Sequence, residues 1–366
     1  MLDLQKSLGV MATAVAALGA CSADESGSAP GGGTGGLPVD GAGGGLANTG
    51  GGVGIGGGGP GTGGGSPGTG PCVPGTAYPV PAPLGNPTAV YQGTGNGLFE
   101  GPVWVAGAVF LSDMTFLGTG DPPPAVIHRY DAVNGGAVWL SETGSNGMAV
   151  RPDGFIVAAT HLPQDLTLFD VNTTGRQALN LTYNGAHFNS PNDVTVRADG
   201  NTYFTDPDWQ LGTRTSETGI TGVYRVAPDG VTVALVDGTL DNPNGIALSP
   251  DGSVLYVGDY NFGGTNGRIG TYPVAADGST GPRAEFAAGL EGPDGMTIDC
   301  AGNLYATQNG PGTITIYDPS GAVVTTIQVA ASLTNLAFGG PGGTTLYATA
   351  FKTLYSIPMN VPGNPY

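Results

Sequence analysis

One arrangement recurs along this chain and constrains its fold more than any other feature: an oxygen-bearing residue, a short β-rich run, a tight turn and a second β-rich run. In NDVTVRADGNTYFTD, which begins at Asn192, the runs are Val194-Thr195-Val196 and Thr202-Tyr203-Phe204-Thr205, joined by Ala198-Asp199-Gly200. Alternating β-branched and aromatic residues around Asp-Gly signal a hairpin. Similar stretches begin at Glu100, Asn146, Asn244, Asp294 and Asn335, so successive heads are 46, 46, 52, 50 and 41 residues apart. A repeat of this length built on strand-turn-strand marks a β-propeller.

A second pair of strand-like runs follows most of these hairpins, as in GVYRVAPDGVTVALV and ITIYDPSGAVVTTIQV. Four strands per unit and six units predict an all-β, six-bladed β-propeller. The sixth unit ends one strand short, after Thr353-Leu354-Tyr355-Ser356-Ile357, while Thr88-Ala89-Val90-Tyr91 is a spare strand ahead of the first hairpin. Pairing the two closes the ring and removes an exposed edge.

The first strand of each propeller blade lines the central channel, so the heads Glu100, Asn146, Asn192, Asn244, Asp294 and Asn335 should meet at one end of it. Any single Asn or Asp there reads equally well as a turn residue. Six oxygen donors at one repeat position read as a site for a hard divalent cation, Ca²⁺ above all. No His/Cys cluster suggests zinc. Asp113, Asp206 and Asp259 lie 13 to 15 residues beyond their heads, where the returning strand regains the same mouth, and His161 holds that place in the second unit. His187 precedes Asn192 on a loop entering the same face. His128 falls in an outer strand and receives no role.

Asp plus Glu number 28 against 10 Lys plus Arg, a net charge of −18 that disfavours nucleic acid as a partner. At the N-terminus, Lys6 precedes an apolar run from Leu8 to Ala20, too short to span a bilayer and suited to a signal peptide over residues 1–20. Leu18-Gly19-Ala20-Cys21 resembles a bacterial lipobox, which implies export, an acylated Cys21 and membrane contact through that lipid anchor alone. Residues 21–71 are mostly Gly, Ser, Thr, Pro and Ala, a composition that predicts a disordered tether with a reach of roughly 40 Å. Gly64-Gly65-Ser66-Pro67-Gly68 and Gly52-Val53-Gly54-Ile55-Gly56-Gly57 match catalytic and dinucleotide motifs, but neither has the flanking strand and helix those motifs require. The propeller is assigned to 72–366. Cys72 and Cys300 form either a disulfide or two free thiols, and their spacing does not decide which.

Four pieces of sequence occur in the order found in one family: Glu100-Gly101-Pro102-Val103-Trp104, Ser190-Pro191-Asn192-Asp193-Val194, Asn244-Gly245 ahead of Ser249-Pro250-Asp251-Gly252, and Pro293-Asp294-Gly295-Met296. On these residues the chain resembles the senescence-marker-protein, gluconolactonase and luciferin-regenerating-enzyme family from about Leu84 to Tyr366. The resemblance implies a six-bladed propeller that hydrolyses sugar or related lactones. It implies a divalent ion held by Glu100, Asn244 and Asp294, with Asn192 reaching ion or substrate. Asp294 is then the first choice of general base and His161 the second, with Asn146, His187, Asp206 and Asp259 around the substrate. The chain departs from the family at His187, where many members carry a basic residue, and at His161-Leu162-Pro163-Gln164, which lacks a frequent Arg. A calcium-stabilised binding module on a lipid-anchored stalk, and a strictosidine-synthase-like or paraoxonase-like enzyme, remain alternatives.

Overall fold

In the computed structural model the described residues are 71–94, 97–114, 124–261 and 264–364. The signal peptide, Cys21 and the Gly-rich tether expected from the sequence lie outside them, apart from Pro71. The described strands form six four-stranded antiparallel sheets. A first strand, β1 (Thr88–Gln92), precedes the first full blade, β2 (Leu98–Val105), β3 (Ala108–Met114), β4 (Val126–Asp131) and β5 (Gly135–Leu140). The second is β6 (Ser145–Val150), β7 (Ile156–His161), β8 (Gln164–Phe169) and β9 (Arg176–Ala178); the third is β10 (Val194–Val196), β11 (Thr202–Asp206), β12 (Gly222–Val226) and β13 (Val233–Asp237). The fourth is β14 (Pro243–Leu248), β15 (Val254–Asp259), β16 (Gly267–Pro273) and β17 (Ala284–Leu290); the fifth is β18 (Pro293–Ile298), β19 (Leu304–Gln308), β20 (Thr313–Tyr317) and β21 (Val323–Gln328). The sixth holds β22 (Leu333–Gly339), β23 (Thr345–Ala350) and β24 (Thr353–Pro358).

The ring closes as the sequence predicts, because β1 pairs antiparallel with β24, Thr88 opposite Ser356 and Gln92 opposite Thr353. Closure carries a polar lock. The Tyr91 hydroxyl meets His128 Nδ1 at 2.8 Å, His128 Nε2 lies 3.1 Å from Asp113 Oδ2, and the Lys352 ammonium donates to the same carboxylate. His128, given no role from sequence, thus joins the first blade to the closing strand.

The apolar positions of the repeat pack between neighbouring blades. Tyr203 and Val223 of the third blade bury with Ile246, Leu248, Leu255 and Val257 of the fourth. Fully burying each such side chain contributes roughly 1.5–3 kcal/mol. At the Asp199-Gly200 turn, Gly200 takes φ +92°, a conformation open to Gly at little cost. β9 is shorter than the run QALNLT suggests. The Asp165 carboxylate accepts the backbone NH groups of Asn180 and Leu181 and draws the chain off the sheet edge. It then runs as a loop until Val194. Cys72 and Cys300 form a disulfide with their Cα atoms 4.9 Å apart, fastening the segment ahead of β1 to the β18–β19 turn.

Candidate functional site

The inner strand of five blades opens on a β-bulge that the sequence repeat does not reveal. Glu100 pairs with Ser112 and Val103 with Phe110; likewise Ser145 with Thr160 and Met148 with Ala158. The same extra residue separates Pro243 from Ile246, Pro293 from Met296 and Leu333 from Leu336. Bulges of this kind re-aim side chains next to active sites. Their register corrects the expectation of six heads at one position. Asn146, Asn244 and Asp294 are equivalent, and Asn192, two before Val194, matches them. Glu100 stands one residue earlier and Asn335 one later.

The position that Asn335 occupies is shared by Asp193, Gly147, Gly245 and Gly295, and it forms the next layer down the axis. Asp193 and Asn335 come from opposite blades and meet across the channel, with Asn335 Nδ2 3.5 Å from Asp193 Oδ2. The glycines leave them room: a Cβ on Gly147 would lie 2.1 Å from Asp193 Oδ1, and one on Gly295 would lie 2.1 Å from Asn335 Cγ. Asp193 was absent from the expected site, although its charge beside Asn192 is plain in the sequence. It stands just ahead of β10, where the Thr205 carbonyl accepts the Asn192 NH and the Thr205 NH donates to the Asp193 carbonyl. A cavity of about 50 Å³ continues along the axis below Asp193 and Asn335, walled by Met148, Ile246, Met296 and Leu336.

Glu100, Asp193 and Asp294 are all buried and repel one another. Burial, then the charges of Glu100 and Asp193, hold the Asp294 carboxyl well above the ordinary carboxylate range, while Asn244 pulls it back partway. Burial and Asp193 likewise raise Glu100, against the Gly101 NH and the Asn335 amide. Asp193 is pushed up to about 7 by burial, offset in part by backbone NH groups at Val194 and Ile246. Among the described residues no three His, Cys, Asp or Glu side chains stand together as a metal-ligand group. The donor set here instead mixes carboxylates with the buried amides of Asn192 and Asn244. Buried carboxylates that repel one another, beside amide oxygens, suit a hard divalent cation, whose charge would relieve that repulsion. Asn146 is buried, and its Nδ2 has no hydrogen-bond partner. A buried donor in that state fits a group kept for a ligand.

The other expected residues separate. His161 ends β7 and is buried; its carbonyl accepts Arg214 Nη1 at 2.9 Å. His187 is exposed, and its backbone NH donates to Glu217. Asp206 and Asp259 were expected at the substrate, but both are committed to backbone. Asp206 is 0% exposed and accepts the NH groups of Asn189 and Ser190 at 2.9 and 2.8 Å. Asp259 accepts the NH of Asn242 at 2.9 Å and faces Arg268 at 3.4 Å. Each shapes the loop ahead of a site residue, Asn192 in one blade and Asn244 in the next. Asp113 is occupied by His128 and Lys352. No sequence pattern separates a carboxylate aimed at a ligand from one folded back on its neighbour's NH groups.

Comparison with known proteins agrees with this geometry. Residues 98–352 match the model of the SMP-30/Gluconolactonase/LRE-like region. A gluconolactonase from Zymomonas mobilis is 35% identical over 275 residues, covering 67% of this chain and 74% of that one. A pentonolactonase from Haloferax volcanii is 29% identical over 261 residues, covering 69% and 81%. A solved gluconolactonase structure from Xanthomonas campestris superposes with a TM-score of 0.65 at 27% identity, covering 77% of this chain and 92% of that one.

Proposed function

The chain belongs to the SMP-30/gluconolactonase/LRE-like family, and from that membership together with its axial carboxylates we propose that it is a metal-dependent lactone hydrolase. The observation that carries the metal is the burial of Glu100, Asp193 and Asp294 at one end of one channel. Glu100, Asn192, Asn244 and Asp294 would hold the ion, Ca²⁺ by the hardness of their oxygens. When bound, such an ion supplies Lewis-acid polarisation of a lactone carbonyl, worth several kcal/mol.

The chain's own residues do the rest. Asp294 is the first choice of general base, taking a proton from the attacking water. The water oxygen bonds to the lactone carbonyl carbon, the ring C–O bond breaks, and the ring oxygen leaves with a proton as a hydroxyl. The product is the open-chain hydroxy acid. Asn146 Nδ2 is available to orient the substrate, and His161 is the second choice of base. Asp193 and Asn335 close the floor of the site and exclude water from below.

The Cys72–Cys300 disulfide suits an oxidising compartment, in keeping with export and a lipid anchor at Cys21. A panel of sugar, aliphatic and aromatic lactones, followed by acid release with and without chelator, tests the reading. It predicts hydrolysis of a sugar or related lactone that chelation abolishes and Ca²⁺ restores. Absence of turnover across the panel, with calcium still bound, would leave a binding module in its place.

A further inference from the structure

The loop after β11, Pro207–Arg214, carries groups that the proposed mechanism does not use. Trp209 Nε1 donates to Asn242 Oδ1 at 2.9 Å, and its ring meets that of Tyr260 edge-on with centroids 5.6 Å apart. Tyr260 is itself fixed, because its NH donates to the Asn242 carbonyl and its ring lies over Gly292, where a Cβ would come within 3.0 Å of the hydroxyl. Asn242 is two residues from Asn244, and Gly292 is two residues from Asp294. The aromatic pair is thereby fastened to the backbone that presents both donors.

The next residue is Gln210. Its NH donates to Ser190 Oγ at 3.2 Å, and its carbonyl accepts the guanidinium of Arg214. Arg214 also binds the carbonyls of His161 and Leu211, so the loop is strapped to the second blade on one side and to Ser190, two residues from Asn192, on the other. Within this hydrogen-bonded frame Gln210 is 3% exposed, yet neither its Nε2 nor its Oε1 has a hydrogen-bond partner. A buried amide with all its hydrogen-bonding capacity unmet is costly unless something pairs with it. The element that carries it lies beside the Asn192 donor, next to two aromatic rings.

We propose that Trp209, Gln210 and Tyr260 form the specificity wall of the site and select a polyhydroxylated lactone. The rings pack on the C–H face of the substrate, and the Gln210 amide pairs with its hydroxyl groups. The inference deepens the lactonase reading and rests on it. A site with a buried polar group built for a substrate hydroxyl discriminates strongly against the analogue that lacks it, because that group is then left unpaired. An apolar wall alone discriminates by far less.

The experiment compares D-glucono-1,5-lactone with δ-valerolactone, which has the same ring size and no hydroxyl groups, in wild type, Gln210→Met and Trp209→Phe. Gln210→Met keeps the length and volume of the side chain and removes its hydrogen bonding. The expected result is a ten- to hundredfold fall in the ratio of kcat/KM for the two lactones in Gln210→Met, carried by the hydroxylated substrate. An equal fall on both lactones, or no change in the ratio, overturns the proposal. Binding of D-gluconate, followed through tryptophan fluorescence, reads the same wall without turnover. Wild type should respond, Trp209→Phe should lose the response despite retaining Trp104 and Trp139, and Gln210→Met should bind at least tenfold more weakly. A wild type that binds gluconate but hydrolyses neither lactone would sink the lactonase reading and leave the wall standing. A wild type that hydrolyses lactones while Gln210→Met binds gluconate unchanged would do the reverse.

Discussion

Replacing Asp206 separates a carboxylate that builds the site from one that touches substrate. Its two oxygens accept the NH groups of Asn189 and Ser190, and it is fully enclosed. Asp206→Ala removes both acceptors and leaves two buried NH groups unpaired, at about 1–3 kcal/mol each, so the loss should be about 2–6 kcal/mol. Asp206→Asn retains one oxygen and should cost about 1–3 kcal/mol. The pH dependence has a definite sign. Burial lifts the Asp206 carboxyl to about 8 from its ordinary 3.8. The folded protein therefore favours the protonated form, and the stability this group contributes is complete below about pH 4 and is lost as pH rises through about 8. Asn does not titrate, so the cost of Asp206→Asn should shrink between pH 5 and pH 8, by at most about 4 kcal/mol. Urea unfolding in calcium-free buffer at the two pH values measures both quantities. A variant of unchanged stability whose only defect is a raised KM would refute the positioning role and return Asp206 to the substrate.

Burial raises Glu100, Asp193 and Asp294 as well, with repulsion adding to it at Glu100 and Asp294, so the metal-free protein should lose stability as pH rises from about 5 to 8. Calcium should displace the protons these groups retain, so its increment in Tm should grow over the same range, and calorimetry in buffers of different ionisation enthalpy should detect proton release; an increment that shrinks with pH would contradict this. Cys300→Ser unfastens the segment ahead of β1 and should lower stability by about 2–5 kcal/mol while turnover persists, since Cys300 lies at the turn after β18, away from Asp294. Loss of turnover at full occupancy by calcium would show that the disulfide shapes the site itself.

The number of blades and the closing strand were legible because both rest on local chemistry. The repeated turns punctuate the chain, and Thr88–Tyr91 and Thr353–Ile357 each alternate as strands do. The heads were legible as a set, but their register was not. A bulge arises from pairing with the neighbouring strand, so Glu100 and Asn335 left the common position; Asp193 entered unannounced from the residues just ahead of β10, meeting Asn335 across the channel. Asp206 and Asp259 fell where the repeat placed them along the axis, but which way each carboxylate turns depends on NH groups in loops that carry no pattern. Trp209 and Gln210 sit in such a loop. The Cys72–Cys300 pair spans 228 residues and becomes visible only once the ring has closed.

Asp294→Asn tests the central claim most directly. The substitution keeps a side-chain oxygen for the ion and removes the proton acceptor, so calcium affinity and kcat should part company. Measured together by calcium titration and saturating-lactone turnover, affinity should fall modestly while kcat falls about 10²–10⁴-fold, the usual contribution of a general base. Glu100→Gln should show the opposite balance, with weaker metal binding and turnover partly recovered at high calcium. If Asp294→Asn binds calcium and hydrolyses the lactone at near the wild-type rate, Asp294 is not the base, and the mechanism proposed for this site is wrong.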